Sequence, residues 1–557
     1  MDSNIVRLLK DKALKMNPKI CNGFAYAQSN LIINTVNDLF QIISKNFPPY
    51  LEYCGISVLW PEQEYQALTQ CNRSSKKTVD IAKSDLFMTN VNFKLNGKLL
   101  SNPLRLKLPF IREGNIIYVS DSPWVVNAVL CDKIISVGLD DLFVRLSRAK
   151  LNFRKYTHLL LVDGQSCNTQ LVYGNVFNKK KKEQPNTQKA VVKANTTLGH
   201  YLMCKYGFKE SLNKYCGISS DDIKIVSTDF KEEDIEDIEE WSAFESSGIK
   251  LKTVFRSDYV KPDIKMFIKK SKRTILSDSI MSGLIYLADH FPHRIKHEYL
   301  LGSVEDEKRL WLILLGYINI NGEDNEGKLY SLMTDHILSL DRYLDKLVIY
   351  KLKASNEFPE LRRVENFYDL LVFIINNINT ILFNSFDKAS SIWNKDLEVL
   401  YYLLYDLQAA IFKTQFKLQS LVNKKGVIDE MDLKNIFTQA GLKEGLIYRI
   451  ASGQHREMCS LSVTGDNKAF KLTTTMMPQT DTNSDSGSKG AGLNVQDPAQ
   501  CLHASVADIG AFLNIPKGGP GGRNRINPYV TLHGNTVVQS PLRKEILTKV
   551  QEMIGRK

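Results

Sequence analysis

The residues whose types and spacing could do chemistry gather late in the chain. Lys517-Gly518-Gly519-Pro520-Gly521-Gly522-Arg523-Asn524-Arg525 sets four glycines beside a lysine and two arginines. Glycine strips side-chain bulk so that backbone amides can approach a phosphate, and arginine pairs with phosphate oxygens bidentately. The run therefore suits a nucleic-acid backbone, and it also suits a plain turn between elements. Other constellations carry less. Asn423-Lys424-Lys425-Gly426-Val427-Ile428-Asp429 puts lysines where a calcium loop needs carboxylates, so it is rejected as one. Asp481 and Asp485 lie four apart in a polar stretch with no ordered element to hold a magnesium ion, and they read as solvated loop. His503 and His533 near Cys501 and Ser540 make no nucleophile elbow, and His290-Phe291-Pro292-His293 lacks the glutamate of a zinc-protease helix. The sequence shows no self-contained active site.

Composition bounds the reading. At 557 residues the chain is more than three times the roughly 150 residues of one typical domain, so several domains are expected. Hydrophobic residues make up 43% and charged residues 24%, which excludes disordered, collagenous and membrane-embedded classes. The net charge of +12 makes a polyanion a reasonable partner. Eight Lys/Arg against two acids fall in residues 517–557, so half of that excess sits in the last 41 residues. The nine cysteines have no C-x-x-C spacing, which argues against zinc and for reduced thiols in a cytosol. The opening Met-Asp-Ser-Asn-Ile-Val-Arg lacks the apolar stretch of a signal peptide, and residues 367–383 are too short and too interrupted by Asp369, Asn376, Asn377 and Asn379 to span a bilayer.

The elements that must position these residues change character along the chain. Leu104, Leu106 and Leu108 alternate with charge, a turn follows at residues 112–115, and Ile116-Ile117-Tyr118-Val119 completes an expected β-hairpin. Leu159-Leu160-Leu161-Val162 and Gln170-Leu171-Val172-Tyr173 predict a second pair of strands, with Asp163-Gly164 as the turn signal. Lys179 to Lys182 reads as a solvated loop, and the acids from Glu232 to Glu240 as an exposed acidic helix or linker. Beyond about residue 280 the period lengthens towards 3.6. Phe367, Leu370, Leu371, Ile374, Ile375, Ile378, Ile381 and Leu382 form one helical stripe, and Leu397, Leu400, Leu404, Leu407 and Ile411 a second. Residues 473–492 are mostly Thr, Ser, Asn, Asp and Gly and read as flexible. The fold class expected is α+β and multidomain.

Taken in order, the C-terminal segments resemble the fork region of the second-largest (β) subunit of multisubunit RNA polymerases. Those segments are Gly445-Leu446-Ile447-Tyr448-Arg449-Ile450-Ala451-Ser452-Gly453-Gln454, Cys501-Leu502-His503-Ala504-Ser505, the Gly/Pro/Arg turn, Thr531-Leu532-His533-Gly534 and Gln539-Ser540-Pro541. Upstream, residues 108–119 are similar to the protrusion hairpin of that family and residues 196–208 to the short helix of its lobe. Arg309 to Gly316, followed by Thr334-Asp335-His336, is similar to a family helix and its Asp-His element. Ala504 and Ser505 stand where the family has an Arg-Arg pair, and Gln539-Ser540-Pro541-Leu542 where it has Glu-Thr-Pro-Glu-Gly.

The resemblance implies the N-terminal fragment of a split β subunit, of the non-virion type that large "jumbo" phages encode, because an ordinary β subunit is only about half complete where this chain ends. It implies a protrusion-like domain from residues 1–145 and 300–445, a lobe-like domain at 146–299 and a fork-like region at 446–557. Arg523, Arg525, His533, Lys517 and His503 would contact nucleic acid, and Arg543 and Lys544 another chain. The partners implied are the C-terminal half of β, the β′-like fragments, template DNA and nascent RNA. Two Mg2+ ions would be held by catalytic aspartates of a partner subunit, with no catalytic residue and no zinc here, in the host cell cytoplasm. Two other readings stay open: a virion or adaptor protein whose basic C-terminus packs against DNA, and a promoter-recognition accessory subunit.

Overall fold

The computed structural model describes residues 29–72, 84–109, 116–119, 121–126, 128–138, 140–146, 150–174, 176, 194–230, 235, 237–248, 260–301, 303–320, 323, 325–344, 346–353, 357–383, 385–398 and 404–442. Beyond these it describes 460–462, 473–476, 505, 523–525, 530–539, 545, 548–549 and 551–552. The fold is α+β, and the chain divides into two compact units. One is built from Met1–Lys133 with Phe386–Lys557, and the other is Ile134–Ser385. Residues 146–299 lie wholly within the second unit, which also takes in the helices up to residue 385. No helix among the described residues is long and apolar enough to cross a membrane.

In the first unit the strand Leu86–Leu95 pairs with Leu51–Val58 on one side and with Leu104–Pro109 and the short Lys98–Leu99 on the other, all antiparallel. The two-residue period buries Leu104, Leu106 and Leu108 on one face. The helix Ser29–Ser44 packs against the sheet through Ile32, Val36, Leu39, Phe40 and Ile43, which recur at helical spacing. Phe93 sits at the centre of this core, with ring centroids 5.3 Å from Phe437, 5.6 Å from Tyr53 and 6.0 Å from Phe40. Phe437 arrives on the helix Glu430–Ala440, which forms a helical hairpin with Tyr405–Lys425. The stretch considered above as a calcium loop is the link of that hairpin. Gly426 ends the first helix at φ +78, and the Asp429 carboxylate accepts from Asp432 N to begin the second.

Two expectations are corrected in this unit. Leu104–Pro109 and Ile116–Val119 are both strands, but they do not pair with each other: the first joins Leu86–Leu95, and the second forms a tight hairpin with Ser122–Val126. Asp121, at φ +65, sits in the two-residue turn that closes this hairpin. Alternation fixes which face of a strand is buried and leaves its partner open, and the shorter loop wins. Leu397 belongs to the strand Lys395–Glu398, Leu404 sits at the N-cap of the helix Tyr405–Lys425, and Leu400 lies outside the described residues, so the second stripe is not one helix.

The second unit is built on a seven-stranded antiparallel sheet. Its order runs Ile223–Val226, Lys265–Lys269, Trp241–Ser246, Lys150–Val162, Asp141–Arg145, Ile135–Val137, with Gln165–Gly174 also paired to Lys150–Val162. The predicted turn is present: Val162 faces Gln165 across Asp163 at φ +52 and Gly164 at φ +75. A Cβ at Gly164 would meet nothing within 4 Å, so only its backbone conformation resists substitution. Gly164→Ala should therefore lower the unfolding free energy by about 1 kcal/mol in urea titration, and an unchanged midpoint would contradict the turn. The stripe in the helix Phe367–Leu382 is buried at every position read from the sequence. It packs into one core with the helices Leu198–Tyr206, Ile275–His290 and Val304–Asn319. The described end of the acidic run is a single turn, Ile238–Glu240, with Ile235 buried near Trp241 and Phe267.

Candidate nucleic-acid interface

The basic C-terminal segments enter the fold through a six-stranded sheet of the first unit, assembled from stretches almost 400 residues apart. Its order is Arg523–Arg525, Thr473–Met476, Ala128–Asp132, Lys395–Glu398, Thr536–Val538, Thr531–His533. The middle strand Ala-Val-Leu-Cys-Asp is a nearly continuous apolar run, as an interior strand requires. Thr473–Met476 pairs parallel with it. This corrects the flexible reading at residues 473–476, where three successive threonines have the β-branching that favours strand. Residues 477–492 lie outside the described residues.

Polar ties hold the inner strands in register. Lys395 pairs with Asp132, directly opposite it across the ladder. Thr536 Oγ1 donates to Asp396 Oδ1 at 2.7 Å, and Leu397 N donates to Asn535 O at 2.8 Å. Leu397, Val537 and Cys131 are buried between them. Of the 501–505 segment only Ser505 is described, and Ile392 N donates to its fully buried Oγ at 2.9 Å.

The expected contact residues divide between the two margins of this sheet. Arg523 and Arg525 occupy one outer strand, two residues and about 6.6 Å apart along it. His533 is exposed on the opposite outer strand, five strand spacings or about 24 Å away. Thr531-Leu532-His533-Gly534 is a hairpin whose turn uses Gly534 at φ +63. Lys517, His503, Arg543 and Lys544 lie outside the described residues.

The upstream segments singled out by the resemblance serve a different purpose. Those at 196–208, 309–316 and 334–336 converge in the core of the second unit. Thr197 caps the helix Leu198–Tyr206 by accepting from His200 N. The His200 ring is buried against Trp311 O at 2.9 Å, and burial pulls its pKa down to about 4. Glu307 accepts from Phe208 N at 2.6 Å and from Trp311 Nε1 at 2.9 Å, and its carboxyl is pushed up by the same burial. His336, set edge-on to Tyr201, is also lowered to about 4 by desolvation. These histidines are neutral packing groups at neutral pH.

Sequence reading missed one buried polar cluster in that unit. Asp289 accepts from Ser246 Oγ at 2.5 Å on one oxygen and meets His158 Nε2 at 2.9 Å on the other. The carboxylate stands between serine and histidine, so it is Asp289 and not the imidazole that receives the serine hydroxyl, and all three side chains are buried. The cluster joins the strands Lys150–Val162 and Trp241–Ser246 to the helix Ile275–His290. Its members are 43 and 131 residues apart, which leaves no local spacing to detect.

Residues 1–550 match the family described as "Non-virion RNA polymerase subunit". The chain belongs to this family. A search of curated proteins gives no match. As a non-virion polymerase subunit it acts within a multisubunit complex. Among the described residues of this subunit no three histidines, cysteines or carboxylates gather as a metal site needs.

Proposed function

We propose that this polymerase subunit is the N-terminal half of a split β subunit and forms one wall of the cleft that holds template DNA and nascent RNA. Residues 1–145 and 300–445 would be protrusion-like, 146–299 lobe-like and 446–557 fork-like. The observation that carries the proposal is the joining of the fork-like strands Thr473–Met476, Arg523–Arg525, Thr531–His533 and Thr536–Val538 to the N-terminal strand Ala128–Asp132 in one sheet. A cleft wall needs such a junction, because cations on a free tail cannot set the path of a nucleic acid. In this reading Arg523 and Arg525 neutralise phosphates, His533 contacts nucleic acid from the other margin, and Lys517 and His503 would add further nucleic-acid contacts. Arg543 and Lys544 face the complementary β fragment. The catalytic aspartates and the two Mg2+ ions that stabilise attacking and leaving oxygens belong to a β′-like partner, and the complex works in the host cell cytoplasm.

Each lost phosphate contact lowers the salt dependence of binding by about one unit of log–log slope. The assembled polymerase carrying Arg523→Ala and Arg525→Ala should bind template with a slope smaller by about two. An unchanged slope would remove these arginines from the interface. Omitting the chain separates the proposal from an accessory role. Elongation on a primed template should vanish without it, and persistence would favour a promoter-recognition subunit.

A further inference from the structure

The strand Gln165–Gly174 is an outer strand of the seven-stranded sheet, and it lacks the features that keep sheet edges from recruiting other chains. Its ladder with Lys150–Val162 runs without a bulge from Gln165 opposite Val162 to Gly174 opposite Phe153. Its ten residues, Gln-Ser-Cys-Asn-Thr-Gln-Leu-Val-Tyr-Gly, include no charge and no proline. Other outer strands are protected. Leu51–Val58 is bulged between Tyr53 and Gly55 and carries Glu52, Ile223–Val226 has four residues and carries Lys224, and Ile135–Val137 has three residues. The chain itself begins to pair with the open edge and then stops: Gly174 N donates to Thr196 O at 3.1 Å, and Tyr173 forms an isolated antiparallel bridge with Thr197. Backbone groups alternate between the two sides of a strand, so Gln170, Asn168 and Ser166 share the outward side of Gly174. Among the described residues no segment continues the bridge past them. Each presents one N–H and one C=O to the open margin, at a repeat of about 6.8 Å.

The occupant follows from that pattern. An extended polypeptide presents N–H and C=O groups at the same repeat, whereas a nucleic acid would find no cation between residues 165 and 170. The two faces of the edge call for different side chains. Cys167 and Thr169 stand opposite the buried Leu160 and His158 and so lie on the core face, where they are left half-buried. Ser166, Asn168 and Gln170 lie on the other face and are exposed. An incoming strand completes the core face with apolar or β-branched residues beside Cys167 and Thr169, and keeps polar residues beside Asn168. A second copy of this edge would bring mainly glutamine, cysteine and threonine to the core face, and completes it less well.

We propose that the edge at residues 165–170 receives, as an added strand, an extended segment of another polymerase subunit in which apolar and polar residues alternate. The proposal rests on family membership and on this edge, and is independent of where the nucleic acid runs.

Hydrogen exchange read residue by residue, on the free chain and on the assembled polymerase, tests it. Assembly should slow the amides of Ser166, Asn168 and Gln170 by about tenfold more than those of Cys167 and Thr169, which already point into the ladder with Lys150–Val162. Equal slowing at all five positions, or none, would overturn the proposal. A photo-crosslinking amino acid in place of Gln170 should capture a peptide of another subunit whose apolar and polar residues alternate. Capture of nucleic acid, of a second copy of this chain or of a peptide without that alternation, or no capture, would also overturn it. In parallel, Asn168→Pro deletes one outward donor and no inward bond. It should leave the melting temperature of the purified chain unchanged and reduce its recovery with the other subunits by about tenfold. Recovery at the wild-type level would count equally against the assignment, and if the variant melts early, the exchange pattern of the wild type decides.

Discussion

Replacing Asp289 by alanine is expected to destabilise the Ile134–Ser385 unit by about 3 kcal/mol, because it removes a buried carboxylate that two other buried side chains bond. Ser246 Oγ loses its acceptor at 2.5 Å and His158 Nε2 its partner at 2.9 Å, in a region where water cannot replace them. The loss spreads beyond the pair, since Gly248 N donates to Ser246 Oγ at 3.2 Å and the His158 ring lies edge-on to Tyr286, with centroids 5.1 Å apart. Asp289→Asn keeps an oxygen for the serine hydroxyl and should cost about 1 kcal/mol. Urea unfolding followed through the tryptophans of this unit, Trp241 and Trp311, reads both. Equal midpoints for wild type and Asp289→Ala would show that the cluster contributes nothing.

What could be read in advance follows from how local each signal is. The helix Phe367–Leu382 was legible because eight apolar residues keep one period over four turns, and Asn366 begins it with a side chain that accepts from Tyr368 N and Asp369 N. The Asp163-Gly164 turn was legible because only residues tolerant of positive φ fit a two-residue hairpin. Pairing is not local. Leu104–Pro109 carries the right alternation, yet its partner, Leu86–Leu95, could not be chosen from the pattern alone. The candidate interface fails in the same way. The chemistry of Arg523 and Arg525 is plain from their types, but a glycine-flanked run says nothing of a strand that joins Thr473–Met476 and, through it, residue 128. The placement of His533 on the far margin follows from the six-strand order and from nothing in its own neighbourhood.

Acid should weaken the second unit well before its carboxylates titrate. His200 and His336 are each held near pKa 4 by burial, against about 6.5 in an unfolded chain. Between these values the unfolded chain binds protons that the folded chain refuses, so stability rises with pH there. The contribution is complete above pH 6.5 and falls as pH drops towards 4, by about 1.4 kcal/mol per pH unit for each histidine. Over the step from pH 7 to 4.5 the two together amount to roughly 5 kcal/mol, a large share of a typical domain's stability. Glu307 acts in the opposite sense, because its raised pKa lets the folded state take up a proton first and offsets part of the loss. Asp222, lowered to about 2, and Asp263 and Glu326, also lowered, lose their contributions only in stronger acid. Urea midpoints at pH 7 and 4.5 for wild type and for His200→Gln with His336→Gln separate these effects. The double variant should be less stable at pH 7 yet nearly flat across the interval. If it followed the wild-type curve down, the acid sensitivity would have to come from other groups.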